Sequence, residues 1–391
     1  MQVLRLGPSV RSSLAMSFAR RFLRDQLQAT SRRTEARRFY FTPVKLTNQI
    51  VDYLWILIAS RYAKDLRTYG VFFLGNHYHA LLRDLEGGKG TRLSDYQRDL
   101  NSLLAKVMNA EFDRGGALWK QGSYSNVEVH GDESEIDQLL YLMAQPVAAG
   151  LTSTTEAWPG VKVLPEDVGM TRTARRPKCR YFGGRSRAPA DPLPSSLWRA
   201  ELQARERNTR EAKRARKRPR RRSQKRKRVV ERDRERRETK ASASNSTLPE
   251  FVSYTIPVPR VLEPLLERRG LRAVQRALRA LHDANIKRIV QERRAQGLGF
   301  LGRRKVLQTD PFSSPGDDKP TWKRNPRIAC KDLGERFALY TGLQEWRVSH
   351  ASGYETLCST KPWRARFPTG AYLRARELTR LLLARGPPRA A

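Results

Sequence analysis

From Arg205 to Lys240 the chain carries 20 Lys/Arg against 6 Asp/Glu, a net +14 over 36 residues with almost no apolar side chain. A stretch of that composition cannot bury a core, so whatever folds must fold on either side of it. At about 150 residues per domain, the 391 residues leave room for two folded parts around this block. Residues 37–160 combine moderate charge with clear periodicity. Residues 161–249 turn rich in Pro, Gly and Arg before entering the basic run, and read as a linker. Residues 250–391 regain helical spacing. In front of all these, residues 1–36 form a basic arm; residues 1–24 hold five Arg and no acid. A loose arm and an organellar transit peptide both stay open there. No internal repeat is visible.

Charge and cysteine usage narrow the function classes. Lys+Arg number 77 against 39 Asp+Glu, for a net +38, so a polyanion is the expected partner: nucleic acid or an anionic membrane surface. The longest apolar stretch, Val51–Ser60, has half the length of a membrane span and includes Asp52, which excludes an integral membrane protein. Cys179, Cys330 and Cys358 are far apart with no CxxC pair, against a disulfide framework or zinc ribbon.

Within residues 37–160, Arg38–Val44 is β-prone. Thr47 is placed to cap a helix with Ile50, Val51, Leu54, Leu57 and Ile58 on one face. Val71–Leu74 and His77–Leu82 read as strands around a Gly75-Asn76 turn. Ser94 and Gln97 suggest a capping box for a second helix striped by Leu100, Leu103, Leu104, Val107 and Met108. After a short β-like piece at Asn126–His130, a third helix starts near Asp132 and should stop at Pro146. The order β-α-β-β-α-β-α predicts an α+β fold, an antiparallel sheet with helices on one face. A mostly helical C-terminal region should follow the linker.

The chain has five histidines, and two of them are His77 and His79. Alternation along a strand puts both imidazoles on one face and Tyr78 on the other, giving half of a divalent-metal site or a simple surface pair. On the third helix Asp137, Tyr141 and Gln145 form one line at four-residue spacing, offset from the Ile136/Leu140/Met143 stripe. A tyrosine there can pack, or can act as a nucleophile where a metal polarises a phosphate; a glutamine oxygen can be a third ligand.

The string Asn76-His77-Tyr78-His79-Ala80-Leu81-Leu82 resembles the NHxHLLL signature of single-tyrosine HUH transposases. Ala117–Gln121 (ALWKQ) resembles the segment between that family's two active-site motifs, and Tyr141–Leu151 resembles its YxxxNPVxAGL segment. Among such enzymes the chain is most similar to REP-associated tyrosine transposases, and FLGRRKVL, DPFSSP, NPRIAC and FPTGAY resemble a long-tailed branch of them. The resemblance implies a ferredoxin-like sheet, Mg²⁺ or Mn²⁺ held by His77, His79 and Gln145, and Tyr141 as catalytic nucleophile. It implies cleavage and rejoining of single-stranded or hairpin DNA through a 5′-phosphotyrosine link in a bacterial, nucleoid-associated protein. Two positions depart from the pattern: Tyr78 replaces an aliphatic residue, and Gln145 stands where many relatives have Asn. A domesticated binder that keeps the fold without catalysis is the alternative.

In the basic run, Arg214, Arg216, Lys217, Arg218, Arg220, Arg221 and Arg222 are candidate DNA-binding residues that would contact phosphates without reading sequence. A solvated linker is the competing reading. Residues 258–298 carry a leucine stripe that includes Leu281, with Arg272, Arg276 and Arg279 opposite, which predicts a packing helix with a solvated basic face. Trp322, Trp346 and Trp363 read as core, and Cys330 and Cys358 as reduced thiols. No membrane partner is expected; monomer and homodimer both stay open.

Overall fold

A computed structural model describes residues 19–85, 92–122, 124–184, 248–315, 327–358 and 365–372. They fall in two compact units, Met1–Arg176 with Phe251–Ala391, and Pro177–Glu250. The second unit is described at its two ends, with a 3-10 turn at Arg180–Phe182. The seven candidate DNA-binding residues from Arg214 to Arg222 lie outside the described residues.

The first unit is built on a mixed, mostly antiparallel sheet. Its strands are β1 (Gln26–Arg33), β2 (Leu66–Leu74), β3 (His77–Asp84), β4 (Ser125–Val129) and a short late strand, β7 (Ile328–Ala329), in the order β2-β3-β1-β4-β7. Only the β4–β7 pair is parallel. Helices α1 (Lys45–Arg61) and α2 (Arg92–Glu111) complete the β-α-β-β-α-β order of a ferredoxin-like unit. The expected α+β class and helical C-terminal region are what the structure shows.

The first strand lies elsewhere than Arg38–Val44. Gln26–Arg33 has little β propensity of its own, yet it pairs with β3 on one side and β4 on the other. Arg38–Val44 is irregular instead; its aromatics serve the core, Phe41 packing edge-on against Phe73 and Tyr40 against Phe312. Neither predicted cap forms. Thr47 is buried inside the first turn of α1, which starts after Val44. Gln97 turns inward, its Nε2 donating to Thr30 Oγ1 at 3.0 Å, and so is a core residue.

The helices also meet both faces of the sheet, not one. On the first face α1 packs against α2, Tyr62 meeting Tyr96 edge-on and donating its hydroxyl to Asp99 at 2.8 Å. On the second face lies α3 (Asp132–Met143), followed after a break at Ala144 by the single turn α4 (Gln145–Ala148). Gly70, at a bulge in β2, permits the approach: a Cβ there would meet Leu142 at 3.0 Å and Val163 at 3.3 Å. The antiparallel pair β5 (Thr171–Arg175) and β6 (Phe251–Thr255) covers α1, with Tyr254 edge-on to Trp55.

Farther along, α5 (Glu263–Arg269) and α6 (Leu271–Ala295) are separate helices because Gly270 takes φ 73° between them. Val274, Leu278 and His282 of α6 are buried, whereas Leu281 is 44% exposed and so lies off the packed stripe. Arg279 is engaged by Glu156 and Glu166, unlike the solvated residue expected. The turn α7 (Arg303–Leu307) precedes the long helix α8 (Leu333–Cys358). There Ile328, Cys330, Leu343, Trp346, Phe367 and Ala371 form a second core. Trp346 is core as expected; Trp322 and Trp363 fall outside the described residues. Among the described residues no helix is long and apolar enough to cross a membrane. Cys330 and Cys358 are free thiols, the first buried and the second exposed.

Candidate active site

The β3 register fixes the side chains that meet. His77 stands opposite Leu74 and Arg33, Tyr78 opposite Phe73 and Arg32, and His79 opposite Phe72 and Ser31. Alternation then sends Tyr78 toward α2 and both histidines toward α3. The His77 and His79 rings lie 5.0 Å apart between centroids, and Tyr141 meets His79 edge-on at 5.9 Å. Tyr141, 62 and 64 positions from the two histidines in the chain, thus shares one face with them.

Hydrogen bonding sets the state of the imidazoles. Asn76 Nδ2 donates to the Arg37 carbonyl at 3.1 Å, which turns its Oδ1 toward His77 Nδ1 at 2.7 Å. His77 Nδ1 must then carry the proton, and Nε2 presents its lone pair. Neither nitrogen of His79 has a hydrogen-bond partner among the described residues. Burial above all, then the neighbouring His79, Arg33 and Arg37, holds His77 well below the usual imidazole range. Burial with the Arg33 charge brings His79 down to about 4. Both rings are therefore neutral at neutral pH, the form that can bind a metal.

Tyr141 is 52% exposed, the opposite of a packing tyrosine, while Gln145 is 6% exposed. Gln145 Nε2 donates to the Tyr141 carbonyl at 3.0 Å, and its Oε1 has no hydrogen-bond partner among the described residues. The helix breaks between them, so Gln145 belongs to α4 and not to a continuous line. Asp137 leaves the group altogether, held by Lys331 Nζ at 3.1 Å. No cluster of three His, Cys, Asp or Glu suited to a metal occurs among the described residues. Two neutral imidazoles make half of a divalent-metal site, and any ion there would draw its remaining ligands from neutral oxygens or from a substrate.

Three features of the site are absent from the sequence expectations. Asn76 orients His77, a role that neither its place in the turn dipeptide nor its place in the Asn76–Leu82 string assigned to it. Arg33 and Arg37 bring positive charge to the histidines from β1 and the turn after it, which only the strand register discloses. Arg83 and Glu135 join β3 to α3 through a buried ion pair of 2.5 Å, so the strand with the histidines and the helix with Tyr141 are fastened together.

No family model matches the chain, and no curated protein matches it. Among solved structures, it is similar to a REP-associated tyrosine transposase bound to a REP hairpin. That likeness has 12% identity and a TM-score of 0.32, over 39% of this chain and 84% of the other. A likeness of that size decides neither fold nor activity.

Proposed function

We propose that this chain is a metal-dependent DNA transposase that cleaves and rejoins single strands through Tyr141. The observation that carries the reading is the meeting of an exposed tyrosine with two neutral imidazoles across separate elements, His79 and Tyr141 being in edge contact. A structural histidine pair has no need of a solvent-reaching phenol beside it.

In this reading His77 Nε2, His79 and Gln145 Oε1 hold Mg²⁺ or Mn²⁺. The ion, when bound, withdraws charge from a phosphodiester and makes its phosphorus a better target. Asn76 keeps the His77 lone pair turned outward. Arg33 and Arg37 favour the approach of a phosphate by charge. The Tyr141 oxygen forms a bond to phosphorus and loses its proton, while the 3′ oxygen leaves and takes one up. A 5′-phosphotyrosine and a free 3′-OH result, with no net change in bond type, so no nucleotide cofactor is needed. Attack by a 3′-OH on the same phosphorus reverses the step and rejoins a strand.

The test is peptide mapping after incubation of the full chain with single-stranded hairpin DNA and Mn²⁺. The expected product is a nucleotide adduct on the peptide with Tyr141, absent when the metal is chelated. An adduct on another residue, or DNA cleavage without any adduct, would refute the assignment.

A further inference from the structure

A second concentration of polar groups lies on the opposite face of the sheet. Along the β1–β4 pair, Gln28 stands opposite Glu128 and Thr30 opposite Asn126, and all four are buried. Arg21, in the chain before β1, donates Nη2 to Glu128 Oε2 at 2.7 Å. Arg20 lies over the Tyr124 ring at 4.0 Å and donates to the Tyr124 carbonyl. Arg327 comes in beside β4, its carbonyl accepting from the Glu128 N–H at 2.9 Å. Arg347 of α8 stands within electrostatic reach of Glu128, Arg21 and Arg327, and Arg32 of Arg20. Among the described residues no carboxylate pairs with Arg20, Arg32 or Arg327.

Donors outnumber acceptors here. The Nε–H groups of Arg20, Arg21 and Arg32 and the Nε2 amide of Gln28 are buried with no hydrogen-bond partner among the described residues. Gln28 is 1% exposed. Its Oε1 accepts from Asn126 Nδ2 at 2.7 Å, and reversing both amides would only move the orphan donor to Asn126. Buried polar groups are ordinarily satisfied, and cations crowded without counter-ions repel one another. An oxyanion corrects both faults together.

We infer that this cluster binds a phosphate group, at a place separate from the His–Tyr site. Guanidinium forks match the oxygens of a tetrahedral oxyanion two at a time, and the Gln28 amide adds a neutral donor. Glu128 is taken up by Arg21, so it does not compete for the remaining guanidiniums. Burial above all, opposed by Tyr124 and aided by the Arg327 and Arg32 charges, draws Arg20 below its ordinary value. The phosphate belongs either to a nucleic-acid strand or to the free ion.

The experiment is calorimetric titration of the full chain with inorganic phosphate, on wild type, Arg32→Gln, Arg327→Gln and Tyr141→Phe. Wild type and Tyr141→Phe should each bind one phosphate with equal affinity, so the result is independent of the transposase reading. Each Arg→Gln variant should bind at least about tenfold more weakly with its melting temperature kept; if one melts early, the other decides. Adding a short single-stranded oligonucleotide to the phosphate-loaded protein then identifies the source. Release of phosphate assigns the site to a strand, and retention assigns it to the free ion. No phosphate binding by wild type, or equal binding in wild type and a folded Arg→Gln variant, would overturn the inference.

Discussion

The two faces of β3 hold tyrosines in opposite circumstances. On one, Tyr78 is fully buried, stacked on Phe73 with ring centroids 5.0 Å apart and edge-on to Trp119. Its hydroxyl donates to Gln97 Oε1 at 2.7 Å with Asn101 Oδ1 at 3.1 Å, and burial pushes its ionisation well above the ordinary phenol range. On the other face Tyr141 is half in solvent and touches His79 at its ring edge. Both residues lie within motifs, and only their surroundings separate a core tyrosine from a candidate nucleophile. A hydroxyl with its hydrogen bonds made is structural; an exposed one beside neutral imidazoles is free to react.

The sharpest way to break this contrast is Tyr141→Phe, which should lower covalent adduct formation by at least about 10³-fold while leaving the melting temperature unchanged. Next is Glu135→Ala. It removes the close carboxylate of Arg83 between β3 and α3, leaving Asp25 at 4.0 Å as the remaining counter-ion, and should cost about 1.5–3 kcal/mol in denaturant unfolding. Adduct formation should weaken with it, since the same pair fastens both halves of the site. Asn76→Ala frees the His77 tautomer and should reduce Mn²⁺ affinity by about 10–100-fold, with stability near wild type. Tyr78→Phe, by contrast, should cost about 0.5–1.5 kcal/mol, the net worth of one hydrogen bond, because Gln97 Oε1 still accepts from Asn101 Nδ2, yet retain adduct formation. The smallest effect concerns acid stability at Glu128. Burial raises its carboxyl, but hydrogen bonds and charge from His130 and Arg21 outweigh that and hold it below 4.5. Its contribution is present above pH 4.5 and is lost as pH falls through the lowered value. A Glu128→Gln variant should therefore show a shallower loss of melting temperature on acidification.

How far the sequence could be read follows the same division. Strand alternation suffices to place His77 and His79 together and Tyr78 apart, whereas the four-residue spacing of Tyr141 and Gln145 gave no sign of the break at Ala144 between them. The first strand escaped because Gln26–Arg33 gains its conformation from two neighbours, while the aromatic run that looked like a strand was filling the core. Ser94 and Gln97 have capping spacing, yet Gln97 is drawn inward by the buried hydroxyls of Thr30 and Tyr78. The arginines around Glu128 come from residues 20, 21, 32, 327 and 347, so no local pattern unites them. Arg83 with Glu135 is likewise a pairing between distant positions. In each case the deciding interaction is long-range, and has no periodicity to betray it.

The most direct measurement is an adduct assay on wild type, Tyr141→Phe and Tyr78→Phe with end-labelled hairpin DNA and Mn²⁺. The account predicts a denaturant-resistant protein–DNA band for wild type and Tyr78→Phe, none for Tyr141→Phe, and none for any of them once the metal is chelated. A band that persists in Tyr141→Phe, or one indifferent to metal, would contradict the roles given to the exposed tyrosine and its neutral imidazoles.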